Sequence, residues 1–188
     1  MRKIIFFAVV CLLFALRVDA QKSNLVPRSP QIRHDWAMGI VNIPEVGVGV
    51  GMSFPETLEK YNFYSITNVT GYQFTRNIKV GIGYGAQVHG SDFLIPIFGD
   101  IRVNPNAQGV VPFLAASGGV EMAPSDFNNN SRIFISGMVG TRIVTTTKIC
   151  TDLSMGAYIK AGGNETKATF IVLKLGIEIK GKKNDALK

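Results

Sequence analysis

The chain has 188 residues and a net charge of +7 at pH 7, with 46% hydrophobic and only 18% charged residues. That length suits a single domain, while two cysteines and two histidines exclude a disulfide scaffold and a cysteine-rich zinc site. The basic residues are scattered singly, with no basic stripe interleaved with aromatics, which argues against nucleic acid as a partner.

Residues 1–20 carry the parts of a secretory signal. Arg2 and Lys3 supply the positive start, residues 4–16 are apolar without a break, and Val18-Asp19-Ala20 offers a cleavage site before Gln21. The apolar run is shorter than the ~20 residues of a spanning helix, so cleavage is expected rather than anchoring. Apolar residues continue past Cys11, which does not fit a lipoprotein signal. Cleavage leaves Cys150 as the one cysteine, without a disulfide partner. Residues 21–34 are polar, contain Pro27 and Pro30, and read as a flexible lead-in.

From residue 35 to 180 the pattern alternates apolar residues with polar residues or glycine, which is the period of strands. The first strand is expected within 36–53, where Val46, Val48 and Val50 alternate with Gly47, Gly49 and Gly51. Pro44 cannot donate a ladder hydrogen bond, so a bulge or break is expected there. The second strand is placed at 61–74 and the third at 78–88, with Val80, Ile82 and Tyr84 set against Gly81, Gly83 and Gly85. The fourth is placed at 92–103 and the fifth at 110–122. The sixth, 131–144, turns Ile133, Ile135, Val139 and Ile143 one way and Arg132, Ser136, Gly140 and Arg142 the other. The seventh spans 149–160. In the eighth, 166–180, Ile171, Leu173, Leu175, Ile177 and Ile179 oppose Lys174, Gly176, Glu178 and Lys180. The charged tail is 181–188. Short turns at 75–77, 104–109 and 145–148 alternate with outer loops at 55–60, 89–91, 123–130 and 161–165.

An even number of strands, a signal and short turns at one end fit an all-β, eight-stranded antiparallel up-and-down transmembrane barrel. The polar face carries glycine and serine as well as charge, as a narrow interior requires. Its charges can also be matched inside. Hairpin spacing sets Glu121 opposite Arg132 and Arg142 opposite Asp152, with Lys174 beside Asp152, as structural ion pairs of the lumen. Ile133, Ile135, Val139, Ile171, Leu173, Leu175 and Ile177 are then expected to face lipid.

Several segments look familiar beyond their periodicity. Gly71-Tyr72-Gln73-Phe74, Val80-Gly81-Ile82-Gly83-Tyr84-Gly85, Ile95-Pro96-Ile97-Phe98-Gly99-Asp100-Ile101-Arg102-Val103 and Val111-Pro112-Phe113-Leu114 follow one another at hairpin spacing. In this the chain resembles the small outer-membrane β-barrel proteins of Bacteroides-type bacteria. The resemblance implies a barrel inserted by the outer-membrane assembly machinery, with no catalytic residues to carry over. The chain departs from that pattern in closing on Glu178-Ile179-Lys180 and a charged tail rather than on an aromatic.

The glycine alternations lack the strand, sharp turn and helix of a phosphate loop, so they read as small lumen residues. His89, Ser91 and Asp92 cluster at an outer turn and suggest a lipid-modifying enzyme, but neighbours on a tight loop seldom point at one another. Tyr64, Tyr72, Tyr84 and Phe93 fall on the outward register. The expectation is a non-enzymatic barrel with a filled polar lumen, no large pore, no cofactor and no metal. It would reside in a bacterial outer membrane after signal cleavage, as a monomer. Its partners would be membrane lipid and lipopolysaccharide, the barrel assembly machinery and periplasmic chaperones. A soluble lipocalin-like carrier of an apolar ligand is the alternative, disfavoured by the glycine-rich polar face.

Overall fold

The computed structural model describes residues 37–52, 62–90, 92–105, 110–124, 131–162 and 165–181. The signal, the lead-in, the loop at 55–60, Ser91 and the tail beyond Gly181 lie outside the described residues. The strands are β1 (Gly39–Gly51), β2 (Phe63–Gln73), β3 (Ile78–His89), β4 (Asp92–Val103), β5 (Val110–Met122), β6 (Arg132–Val144), β7 (Ile149–Gly162) and β8 (Glu165–Lys180). Each pairs antiparallel with the next, and β8 returns to β1 to close the barrel. Closure matters because an open sheet edge presents unpaired backbone groups.

β1 runs straight through Pro44, contrary to the bulge or break expected there. Pro44 stands opposite Asn68 in an unshifted β1–β2 register. On its other side the ladder to β8 skips Ile43 and Pro44 and resumes in the same register, from Asn42↔Ile179 to Glu45↔Gly176. The missing N–H therefore costs a local ladder contact without shifting the strand. Pro96 sits in a similar gap between β3 and β4, where Tyr84↔Ile97 and Gln87↔Leu94 flank the skipped positions. The register shift lies elsewhere, between Lys160 and Gly162 of β7, where Gly162 takes a φ of +103° that a side chain would oppose.

Other boundaries move by a residue or two. β7 continues to Gly162 and β8 begins at Glu165, so the expected loop 161–165 shrinks. β3 extends through His89, which pairs with Asp92 across a tight turn where Gly90 has a φ of +61°. Two turns at the opposite end are closed by threonine. Thr75 Oγ1 accepts from the N–H groups of Asn77 and Ile78, and Thr146 Oγ1 from those of Lys148 and Ile149.

Strand alternation separates two environments. Ile133, Ile135, Val139, Ile171, Leu173, Leu175 and Ile177 all point outward and are exposed. Ile177 is 46% exposed, while its neighbour Glu178 is 0% exposed. Among the described residues the strands are thus apolar outside and turn most of their charge inward.

The interior is aromatic as well as polar, and Phe98, Phe113, Phe134 and Tyr158, which alternation sets on the inward register, are buried there. Phe63, Phe98, Phe113, Phe134, Tyr158 and Phe170 are buried together with Ile43, Val69, Met138 and Val172. Room for rings comes from glycines directly across the ladder. Phe63 pairs with Gly49, Phe98 with Gly83 and Phe113 with Gly140. A β-carbon at those glycines would lie 2.1, 2.2 and 2.5 Å from the rings. Here glycine supplies close approach, a need that alternation alone does not reveal.

Candidate functional site

The inward face converges on a buried ionic network toward the end that bears the threonine turns. Asp152 grips Arg142 through two hydrogen bonds, each 2.7 Å, donated by Nε and Nη2. The same Nη2 lies 2.5 Å from Glu178 Oε2, and Glu178 also accepts from Lys79 Nζ at 2.5 Å. Arg102 donates to Asp100 (2.8 Å) and Glu45 (2.7 Å), and reaches Asp152 at 3.5 Å. Ser117 Oγ donates to the second oxygen of Asp100 at 3.0 Å. Lys174 Nζ completes the set at 3.4 Å from Glu45 Oε2.

The balance of this set explains how it survives burial. Glu45, Asp100, Asp152 and Glu178 meet Lys79, Arg102, Arg142 and Lys174, so acids and bases are equal in number. A buried charge without a partner is costly, whereas bidentate pairs satisfy both charge and hydrogen-bonding capacity. Arg102 and Arg142 also stand 5.9 and 5.5 Å from the centre of the Phe113 ring.

Above this network lies an aromatic layer. Phe134 stacks on Tyr158 with ring centres 4.7 Å apart, and Phe98 meets Phe134 edge-on at 5.7 Å. Phe63 joins Tyr158 and Phe170 at 5.4 and 5.2 Å. One interior cavity, bordered by Phe63, Phe98, Phe134, Tyr158 and Lys174, is about 10 Å³, close to the space of one water.

A second polar group occupies the opposite end. Tyr158 donates its hydroxyl to Glu121 Oε1 at 2.5 Å, and Lys160 Nζ lies 3.2 Å from Glu121 Oε2. Lys160 Nζ is also 3.1 Å from His89 Nδ1, and it sits 5.0 Å from the centres of both Phe63 and Phe170. An ammonium has only donors, so His89 Nδ1 is the acceptor in this contact. Arg132 Nη2 lies 3.8 Å from Asp92 Oδ2.

Glu121, Arg132, Arg142, Asp152 and Lys174 all project inward, although two of the expected pairings change. Lys174 reaches Glu45 rather than Asp152, because Asp152 stands opposite Gly176 while Lys174 stands opposite Ser154. Glu121 and Arg132 are register partners, yet Glu121 is engaged by Tyr158 and Lys160 and Arg132 approaches Asp92. His89 is corrected too: it is not part of an outer turn but a buried interior residue, edge-on to Phe170 at 5.4 Å. Ser91 lies outside the described residues.

Sequence reasoning missed Glu45, Lys79, Asp100, Arg102, Lys160 and the acceptor role of Glu178. Their inward parity was available from alternation. Their partners were not, because Lys79 on β3 meets Glu178 on β8 across the lumen, not across a hairpin.

The outer face holds two irregular regions. One is an open apolar depression of about 650 Å³ over Gly99, Ala116, Gly118, Gly137 and Ala157. The other is a hydrogen-bonded group formed by Asn42, Asn68, Thr70 and Tyr84 on β1, β2 and β3.

No family model matches the chain, and no curated protein matches it. Solved structures do. The crystal structure of Neisserial surface protein A (NspA) superposes with a TM-score of 0.61 at 14% identity, covering 77% of this chain and 99% of that one. The N-terminal β-barrel domain of Pseudomonas aeruginosa OprF also matches, with a TM-score of 0.49 at 14% identity over 75% of this chain and 98% of that one. The chain therefore shares with Neisserial surface protein A a single fold, the closed up-and-down barrel of eight antiparallel strands.

Proposed function

We propose that the protein is a non-enzymatic β-barrel of a bacterial outer membrane, exported through a cleaved signal, that stabilises the envelope or presents short loops at its surface. The observation that carries this reading is the inverted distribution of polarity. Ile133, Ile135, Val139, Ile171, Leu173, Leu175 and Ile177 form part of an outward aliphatic belt, while the charged network is buried. In water such a belt would expose a large apolar surface, whereas hydrocarbon solvates it and closure satisfies the backbone.

Outward aromatics support the same placement. Tyr72 and Phe74 pack edge-on at 5.1 Å near one end, and Tyr64 and Phe93 are exposed near the other, as girdles at two membrane surfaces would be. Membrane lipid and lipopolysaccharide are the partners of this surface, and assembly machinery with periplasmic chaperones delivers the chain to it. The strand motifs support an envelope of the Bacteroides type. The ionic network and the aromatic layer, which fill much of the described interior, support a structural role over conduction.

Cell fractionation with heat-modifiable gel migration tests the proposal. The protein is expected in the outer-membrane fraction, with folded and boiled samples migrating differently. Recovery from the soluble periplasm would overturn it.

A further inference from the structure

Among the described residues, Asn42 and Asn68 are the only side-chain amides on the outward face of the strands. They lie together. Asn42 Nδ2 donates to Thr70 Oγ1 at 3.2 Å, Asn68 Nδ2 donates to the same oxygen at 3.3 Å and to Tyr84 Oη at 3.1 Å. The group spans three strands through the pairs Asn42↔Thr70 and Asn68↔Tyr84. Ile66, Ile82, Val80 and Val46 surround it, all exposed and aliphatic.

Its depth makes it unusual. Asn68 stands midway along β2 between the outward Tyr64 and Tyr72, which lie near the strand's two ends. Under the membrane reading Asn68 and its partner Tyr84 lie in the middle of the hydrocarbon belt, while Asn42 and Thr70 lie one outward step from the Tyr72 girdle. Hydrogen bonds within the group use only part of its capacity. Among the described residues no donor reaches either amide oxygen, and no acceptor takes the hydroxyl protons of Thr70 and Tyr84 or the second N–H of Asn42. Unused donors and acceptors are disfavoured in hydrocarbon, where lipid tails cannot replace water.

We propose that this outward island of Asn42, Asn68, Thr70 and Tyr84 is a two-fold interface on which a second copy of this chain docks within the membrane. The inference rests on the membrane reading above and departs from the monomer expected from sequence. A lipid tail cannot satisfy the island, and Asn68 and Tyr84 lie midway along their strands, away from headgroups. A second copy satisfies it by symmetry, because a two-fold axis along the membrane normal keeps every group at its own level. The leftover groups are self-complementary: hydroxyl and amide donors of one copy face the amide carbonyls of the other. Polar side chains act as such contacts between membrane-spanning segments.

The test uses the full chain in native outer membranes. Ile82→Cys, outward and opposite Thr70, is expected to give a disulfide-linked dimer on oxidation, whereas Leu114→Cys on β5 is not. Asn42→Val combined with Asn68→Val is expected to lower that dimer about tenfold, the loss of one or two intramembrane hydrogen bonds, while heat-modifiable migration persists. Tyr84→Phe, which removes only a hydroxyl, gives a smaller loss and guards against a folding defect in the double variant. No self-linked dimer from a membrane-embedded, heat-modifiable Ile82→Cys protein would overturn this inference alone, as would cross-linking only to other proteins or a dimer indifferent to these substitutions. Recovery of the protein in soluble form would overturn the inference and the membrane reading together.

Discussion

The ring of Phe98 lies against the bare backbone of Gly83, its register partner, so closely that a β-carbon there would sit 2.2 Å from the ring. Phe63 over Gly49 and Phe113 over Gly140 repeat the arrangement. Gly83→Ala is therefore expected to destabilise the barrel by about 1–3 kcal/mol through overpacking. Urea unfolding in lipid vesicles measures this, and combining it with Phe98→Leu should recover much of the loss. Gly137→Ala is the control, since a β-carbon there meets nothing within 4 Å. Equal losses at both glycines would show that ring packing is not the cause.

Arg142 holds two carboxylates at once, those of Asp152 and Glu178. Arg142→Met leaves both buried without that partner and is expected to cost about 3–5 kcal/mol. A double-mutant cycle with Asp152→Asn should give a large coupling energy in the same unfolding assay. Additive losses would contradict the geometry.

Leu173 lies in the outward row of β8 with Ile171 and Leu175. If that row meets hydrocarbon near mid-depth, Leu173→Arg should cost about 2–4 kcal/mol in lipid vesicles. On a water-facing strand the same change is expected to stay within about 0.5 kcal/mol. The measured cost thus discriminates between the two solvents for this face.

His89 accepts from Lys160 and packs against Phe170 inside the barrel. His89→Ala is expected to leave the lipid A profile of the host membrane unchanged while lowering barrel stability by about 1 kcal/mol. A change in lipid A acylation would revive an enzymatic role. Planar bilayers containing the wild-type protein are expected to show no steady conductance, and a stable current would mean that the interior opens.

The fold was legible because a strand's side chains alternate faces whatever surrounds it, so β4 and β5 could be bounded from alternation and turn residues alone. Arg142 and Asp152 were legible for a related reason: they face each other across one short turn, and hairpin register is a local property. Pro44 misled because a missing N–H predicts a lost ladder contact, and only the positions of both neighbouring strands decide whether the register also shifts.

Sequence by itself determined the strands, their order, their two faces and the hairpin partners, since each depends on residues close along the chain. Only the closed tertiary structure decided that Lys79 meets Glu178, that Lys174 turns to Glu45 and that Phe98 rests on Gly83. Those contacts depend on curvature and on which side chains share a level across the lumen, and a one-dimensional period of two carries neither quantity.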